Sequence, residues 1–204
     1  MGLPDNLKTT DLTVVGEGNQ GIVYLIDQHR CLKVYKKSKY FARELSVLQK
    51  TKGEPRFPEL YKWGDKYMIR EYIPGVDLET YLKDNPLTEN ISCQLLEIIE
   101  SFKRLRFKNL DTRLAHILIT PSEELKLIDP TNAMHRERSY PKSLLAGLDH
   151  LGLKQTFLEQ ARKINPSLNE KWSGSAKTKS IKPSHHQHKK HHKSFENFLY
   201  NIFE

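Results

Sequence analysis

The first third of the chain alternates apolar and polar residues around a cluster of glycines. From Asp11 to Tyr35 this alternation, rich in β-branched residues, predicts two strands joined by a turn. Residues 38–49 then carry apolar side chains at helical spacing, which predicts a helix that stops before Gly53. Two further short strands are predicted at 59–63 and 67–72, because a Gly-Asp pair separates them and a Pro-Gly pair ends the second one.

Helical periodicity dominates the rest of the sequence. Four segments carry apolar residues at three- and four-residue intervals and are predicted helices: 78–83, 91–107, 144–158 and 157–164. Between them, two short apolar runs at 117–119 and 125–128 flank Pro-Ser-Glu-Glu, which is typical of a hairpin connection. Strands followed by helices predict an α+β protein with a sheet-rich N-terminal lobe and a helical C-terminal lobe.

Composition divides the chain into four predicted parts: a sheet-rich lobe at 10–75, a helical lobe at 76–172, a His/Lys-rich linker at 173–194 and an amphipathic helix at 195–204. The linker has little to bury, so we expect it to be disordered. Its histidines suggest a metal site, but the neighbouring lysines raise the electrostatic cost of a cation and favour a solvated linker. The final helix needs an apolar surface, either on the chain's own body or on a protein partner.

The net charge of +8 does not by itself indicate a nucleic-acid partner. Residues 173–194 hold six lysines and no acidic residue, so most of the excess lies in one tail. Binding to nucleic acid through this tail is therefore the alternative that we rank last. The two cysteines form no paired motif, and no segment approaches the roughly 18 apolar residues that a membrane span needs. We expect a cytoplasmic protein without a membrane partner.

The sharpest sequence feature is a glycine-rich segment between two strand candidates. Glycines stand at Gly16, Gly18 and Gly21, and Val23 follows them. Residues without side chains let a turn fold close over phosphates, and the valine can cover an apolar base. A dinucleotide-binding unit requires a helix after the glycines, and a Walker A loop requires Gly-Lys-Ser/Thr; the sequence has neither. A nucleotide-covering hairpin and a plain glycine hairpin both stay open.

Lys33 lies in the strand that would pair back against this hairpin. Its ammonium group can hold nucleotide phosphates, and Glu44, on the predicted helix, can orient it through an ion pair. The alternative is an ordinary surface lysine. Because lysines abound in the sequence, only the position of Lys33 favours the phosphate role.

With these residues in place, the chain resembles the eukaryotic-type protein kinase family, whose motifs follow in order over about residues 10–135. Residues 67–78 resemble the strand that connects the two kinase lobes. The resemblance implies that the backbone of Glu71 and Ile73 pairs with adenine and that Asp77 reaches the ribose. It also implies a bilobal protein-kinase-like fold.

Two later segments resemble the catalytic part of the family. Residues 109–118 resemble its catalytic loop, so Asp111 would receive the proton of the acceptor hydroxyl and Arg113 would steady the transferring phosphate. Residues 127–131 resemble its metal-binding turn, which gives Asp129 the Mg²⁺ site. A lone aspartate in either loop would otherwise be a turn or cap residue. The resemblance implies an ATP-dependent phosphotransferase, in particular a serine/threonine protein kinase, with ATP and Mg²⁺ as cofactors.

Three positions depart from the family pattern. His116 stands where a second metal-binding asparagine is usual, and imidazole suits Mn²⁺ better than Mg²⁺. Pro130 replaces the phenylalanine of the metal-binding turn. Arg70 stands where an uncharged residue normally guards the adenine pocket, so it must turn outward, pair with an acid or narrow the pocket. These departures keep open a pseudokinase that only binds nucleotide or acts as a scaffold.

The segment after Asp129 is short for a protein kinase. The next predicted helix begins at residue 144, and no Ala-Pro-Glu sequence follows Asp129. This shortening resembles small atypical kinases and small-molecule kinases, and it implies a reduced helical lobe. The hydroxyl acceptor stays open between a protein serine or threonine, the chain itself and a small alcohol.

Overall fold

Five antiparallel strands form the first half of the computed structural model, which describes residues 7–130, 133–134, 137–166 and 172. In chain order the strands are β1 (Thr13–Glu17), β2 (Gly21–Leu25), β3 (Arg30–Tyr35), β4 (Leu60–Gly64) and β5 (Tyr67–Glu71). Their order across the sheet is β1-β2-β3-β5-β4. β3 and β5 therefore lie at the centre and supply the most buried positions of the sheet.

The segment from Asp11 to Tyr35 holds three strands instead of the two that were predicted. The additional turn lies at Asp27, whose carboxylate accepts hydrogen bonds from the backbone N–H groups of His29 (2.9 Å) and Arg30 (2.8 Å). A carboxylate bonded to backbone groups two and three residues later closes a tight turn. The polar run at 27–30 was the sequence signal for it.

One helix packs on this sheet. It is α1 (Ser38–Lys50), which confirms the helix predicted at 38–49 and buries Glu44, Val47 and Leu48. Leu48 packs with Tyr35 of β3 and Met68 of β5 in a small apolar cluster. The apolar face of the helix is thus held against the two central strands, and this contact also carries Glu44 inward.

Helices dominate the second half of the fold. They are α2 (Leu78–Asp84), α3 (Glu89–Arg104), α4 (Lys142–His150) and α5 (Lys154–Ile164). α3 begins at its cap Thr88, whose hydroxyl accepts a hydrogen bond of 3.2 Å from the Ile91 N–H. Its inner face belongs to the largest hydrophobic core of the described residues, together with residues of the other three helices.

The break between α4 and α5 differs from the prediction. The two closing helices were predicted to meet at 157–158, but α4 ends at His150 and α5 begins at Lys154. Gly152 lies between them with φ of +72°. A glycine adopts this left-handed conformation without steric cost, so it ends the first helix.

A small three-stranded sheet joins the two halves. It contains β6 (Val76–Asp77), β7 (Ile117–Ile119) and β8 (Leu125–Leu127), in that order. β7 and β8 confirm the predicted hairpin at 117–128. Gly75 precedes β6, where an added Cβ would lie 2.4 Å from the Ile119 carbonyl oxygen. Only glycine allows this close approach of the connecting segment to the hairpin.

The fold confirms the predicted class: it is α+β, bilobal and protein-kinase-like, with a sheet-rich first lobe and a reduced helical second lobe. Trp172 belongs to the helical core and stacks on Phe157 with ring centroids 6.3 Å apart.

The predicted linker at 173–194 and the predicted helix at 195–204 lie outside the described residues. Within the described ranges, the helices are too short or too polar to cross a lipid bilayer.

Candidate active site between the two lobes

Lys33 and Glu44 form a buried ion pair between the interior strand β3 and the helix α1. Lys33 Nζ lies 2.5 Å from Glu44 Oε2, and the Glu44 side chain is fully buried. The ammonium group also lies 5.1 Å from the centre of the Tyr35 ring. Lys33 is only 7 % exposed, so the alternative of an ordinary surface lysine is wrong. β3 supplies the lysine and α1 supplies the glutamate, as the sequence order predicted.

Arg70 turns inward and shares the same carboxylate. Its Nε lies 3.8 Å from Glu44 Oε1, too far for a hydrogen bond but close enough for charge attraction. Both of these atoms are buried and have no hydrogen-bond partner among the described residues. Of the three arrangements considered for Arg70, the structure has the pairing with an acid. One carboxylate therefore balances two buried cations, an arrangement that is costly to disturb.

The three glycines of the hairpin have different structural roles. An added Cβ on Gly21 would lie 2.1 Å from the Val34 carbonyl oxygen, whereas one on Gly18 would meet nothing within 4 Å. One on Gly16 would make ordinary contact with Val23. Gly21 is thus required by the pairing of β2 with β3, and Gly18 has open space above the turn. Val23 pairs directly with Lys33 across β2 and β3, so both side chains lie on one face.

The tip of the glycine hairpin is bonded to the candidate metal ligand. Gln20 Nε2 donates a hydrogen bond of 2.9 Å to Asp129 Oδ2. Burial raises the pKa of Tyr35, the ring beside Lys33, and the carboxylates of Glu44 and Asp129 raise it further. The hydrogen bond from Gln20 thus joins the glycine hairpin of the first lobe to Asp129 of the second.

Asp111 is held beside the start of α4. Its Oδ1 accepts a hydrogen bond of 2.6 Å from the Ser143 N–H, and its Oδ2 accepts one of 2.7 Å from the Ser143 hydroxyl. Arg138 NH1 lies 3.6 Å from Oδ2. Backbone bonds from Leu110 N–H to the Arg138 carbonyl and from Arg138 N–H to the Lys108 carbonyl join the two segments. These bonds fix the position of Asp111 in the fold.

A polar cavity of about 170 Å³ contains the predicted catalytic residues. Its charged and titratable lining residues are Asp111, Arg113, His116, Asp129 and Arg138. Asp111 and Asp129 flank the β7–β8 hairpin in sequence, and the hairpin brings them to the same side. The cavity thus combines two carboxylates with two guanidinium groups, a combination suited to phosphate chemistry.

The donor atoms fit a hard divalent cation that is shared with a nucleotide. Asp129 Oδ1 and Gln20 Oε1 are both buried oxygens without a hydrogen-bond partner in the described part of the chain. Mg²⁺ is commonly held by one or two carboxylates together with substrate phosphates. Within the described ranges, no three His, Cys, Asp or Glu residues cluster as metal ligands, so the protein would share the ion with the phosphates. Asp129 would be the main protein ligand, with His116 lining the same cavity.

The segment that connects the lobes carries the residues predicted to bind adenosine. The Glu71 carboxylate accepts hydrogen bonds of 2.9 and 3.2 Å from Lys126 Nζ, which tie β5 to β8. No hydrogen bond from the Ile73 N–H is found within the described ranges, whereas the preceding N–H of Tyr72 donates to the His29 carbonyl. Asp77 caps α2 by accepting a hydrogen bond of 2.9 Å from the Thr80 N–H. The adenosine-binding roles stay predictions.

Three residues that contact the candidate carboxylates, Gln20, Arg138 and Ser143, were not identified from the sequence, and nothing but its charge distinguished Arg138. Gln20 stands inside the glycine motif, and its place at the hairpin tip was the available signal. No sequence pattern pointed to Ser143. It lies 32 positions from Asp111, and only the packing of α4 brings the two residues together.

Comparison with known proteins gives one distant likeness. No protein-family model matches the chain. It is 23 % identical over 128 residues to a protein of Bacillus subtilis (strain 168) whose name is "Putative serine/threonine-protein kinase YrzF". The alignment covers 60 % of each chain, so this chain spans less than two thirds of that relative's length. Together with the bilobal fold, this distant similarity indicates a kinase-like protein.

Proposed function

We propose that the protein is an ATP-dependent phosphotransferase of the serine/threonine protein kinase type. It would transfer the γ-phosphate of ATP to a hydroxyl group on a protein or a small molecule. The observation that carries this proposal is that Asp111 and Asp129 line one polar cavity. The glycine hairpin reaches the same cavity, because Gln20 at its tip donates a hydrogen bond to Asp129. The similarity to a protein named as a kinase supports the same reaction class.

The residues divide the work between binding and proton transfer. Lys33, oriented by Glu44, would hold the phosphates, and Gly18 would let the hairpin backbone approach them. Asp129 would hold Mg²⁺, or Mn²⁺ if His116 also binds, and the ion would neutralise phosphate charge. Adenine would pair with the backbone of Glu71 and Ile73.

Asp111 and Arg113 would act at the transfer step. Asp111 would orient the acceptor hydroxyl and take its proton, and Arg113 would offset the charge of the moving phosphoryl group. Because such enzymes work mainly through positioning and electrostatics, loss of one metal ligand lowers the rate without abolishing it.

We also propose a cytoplasmic location, since both described cysteines are free thiols.

A pseudokinase is the second candidate, and two contacts favour it. Gln20 donates to Asp129, and Ser143 donates to Asp111, so the chain's own side chains already engage both carboxylates. In a scaffold these bonds would be permanent. In an enzyme, nucleotide and metal would displace the first of them.

Transfer of radiolabel from [γ-³²P]ATP to casein and to the chain itself tests the two candidates. The wild type is compared with Asp111→Asn, in Mg²⁺ and separately in Mn²⁺. Loss of a positioned acid–base group lowers rates by about 10²- to 10⁴-fold, so Asp111→Asn should lose nearly all transfer. Asp65→Asn, which changes an exposed carboxylate in the β4–β5 turn, is the matched control and should transfer like the wild type. Label that is independent of Asp111 would refute the assigned active site. No label on either polypeptide in either metal would refute the protein kinase, and the absence of Asp111-dependent ATP hydrolysis as well would refute the enzyme and leave the scaffold.

A further inference from the structure

The hydroxyl of Ser143 already lies where an acceptor hydroxyl must lie. Its Oγ is 2.7 Å from Asp111 Oδ2 and donates a hydrogen bond to it. A general base has to lie within about 2.6–3.2 Å of the oxygen whose proton it takes. Ser143 is the second residue of α4 and lines the same cavity as Asp129 and Arg113. The base, the candidate metal ligand and a serine hydroxyl of the chain thus share one small space.

The other hydroxyl groups near Asp111 in the described part of the chain lack this geometry. Thr112 also lines the cavity, but its hydroxyl makes no hydrogen bond to Asp111 within the described residues. Ser139 lies on the same segment as Ser143, four positions earlier, and is exposed. Among the described hydroxyl groups, the contact to Asp111 therefore distinguishes Ser143.

We propose that Ser143 is a phosphoryl acceptor of the chain's own reaction and that it is modified within the same molecule. This inference rests on the proposed function. The Ser143 Oγ–phosphorus bond forms as the bond between the γ-phosphorus and the β,γ-bridging oxygen of ATP breaks. The Oγ proton passes to the Asp111 carboxylate, and ADP leaves.

The surroundings suit the product as well as the reaction. A phosphoserine carries about −1.5 to −2 charges at neutral pH, which the carboxylate of Asp111 would repel. Arg138 lies 3.6 Å from that carboxylate, and Arg113 lines the cavity. Two guanidinium groups can form charge-assisted hydrogen bonds with the new phosphate. Because one hydroxyl contacts the base, we expect one phosphate per chain at this site.

Mass spectrometry of the full-length protein tests the proposal. The purified chain is treated with phosphatase, freed of it and incubated with ATP and Mg²⁺ or Mn²⁺, with casein present in a parallel tube. We expect phosphate on Ser143, with a first-order rate constant that does not change with protein concentration. Ser143→Ala should lose this phosphate, and it keeps the backbone hydrogen bond to Asp111. Ser143→Thr should retain phosphorylation, and the control Ser139→Ala should match the wild type.

The contradicting outcomes separate this inference from the proposed function. If casein or other residues of the chain are phosphorylated while Ser143 stays unmodified, the inference fails and the phosphotransferase stands. If the rate constant for Ser143 rises with protein concentration, modification occurs between molecules and the inference fails again. If neither the chain nor casein gains phosphate, this inference fails together with the proposal of a protein kinase.

Discussion

The side-chain amide of Gln20 donates a hydrogen bond of 2.9 Å to the Asp129 carboxylate, across 109 positions of sequence. This bond closes the glycine hairpin onto the residue that is predicted to hold the metal. Asp129 Oδ1 and Gln20 Oε1, the remaining oxygens of the two groups, are buried without partners in the described part of the chain. A buried acceptor without a donor costs free energy, so the contact between Gln20 and Asp129 leaves two oxygens that another group could stabilise. If Asp129 holds the metal as proposed, nucleotide with its metal must compete with Gln20 for this carboxylate.

Gln20→Ala should therefore tighten the binding of ATP with Mg²⁺. A hydrogen bond to a charged group contributes about 1.5–3 kcal/mol, and recovering part of that gives a dissociation constant about three- to tenfold lower. Isothermal titration calorimetry measures it, with Asn19→Ala, the exposed neighbour, as the control. Weaker binding by Gln20→Ala would contradict this expectation and show that Gln20 itself contacts the bound group.

Gly18→Ala and Gly21→Ala should separate binding from stability. The new Cβ of Gly21→Ala would lie 2.1 Å from a backbone oxygen of β3, so we expect a loss of about 1–3 kcal/mol in the free energy of unfolding. Gly18→Ala meets open space and should stay within about 0.5 kcal/mol of the wild type. It should nevertheless weaken ATP binding, because the backbone can no longer approach the phosphates as closely. Urea denaturation and calorimetry give the two quantities, and equal stability of the two variants would refute the assignment.

Glu44→Gln should be more destabilising than Lys33→Met. Glu44→Gln leaves the buried cations of Lys33 and Arg70 without their counter-charge, which costs about 3–5 kcal/mol. Lys33→Met leaves Arg70 to balance the carboxylate, so its effect on stability should be smaller although phosphate transfer is lost. Glu97→Gln breaks an ion pair whose carboxylate is half exposed and should cost no more than about 1 kcal/mol. Urea midpoints rank the three variants, and a Lys33→Met midpoint below that of Glu44→Gln would contradict the shared-carboxylate geometry.

Stability should fall as the solution becomes alkaline. Burial raises the pKa of the Cys31 thiol and of the Tyr35 hydroxyl above their ordinary values of 9.0 and 10.0. Both groups stay neutral in the folded state but ionise in the unfolded chain at lower pH, so their contribution is complete below the unfolded pKa and is lost as pH rises. The urea midpoint should begin to drop at about pH 8 and keep falling beyond about pH 10.5, toward the raised pKa values of the folded state.

Variants at the two cysteines show how much the Cys31 thiol contributes to the fall of the urea midpoint with pH. Cys31→Ala should flatten the decline, because it removes one of the two buried groups that ionise on unfolding. Cys93→Ala, at the more accessible cysteine, should leave the pH profile unchanged. A midpoint that stays constant with pH in the wild type would contradict the prediction.

Local sequence pattern was enough to locate most of the elements and to assign several of the candidate residues to them. The spacing of apolar residues predicted α1, and the glycine pattern predicted the hairpin that precedes β3. Because strand pairing of near neighbours is set by turns, the positions of Lys33 and Glu44 followed from those elements. The β7–β8 hairpin likewise brought the two aspartates to one side. The missed turn at Asp27 shows that even local pattern must be read for polar runs as well as alternation.

Contacts between distant segments were beyond the reach of that pattern. Periodicity states which face of a helix or strand is buried, but it does not name the residue that will lie opposite. The inward turn of Arg70 onto Glu44, the bond from Gln20 to Asp129 and the bond from Ser143 to Asp111 all depend on how the lobes and α4 pack. Those three contacts decide which buried charges are balanced and which hydroxyl lies beside Asp111. Hydrogen bonds and buried ion pairs form only between groups a few ångströms apart, and only the packing of distant segments brings these groups so close.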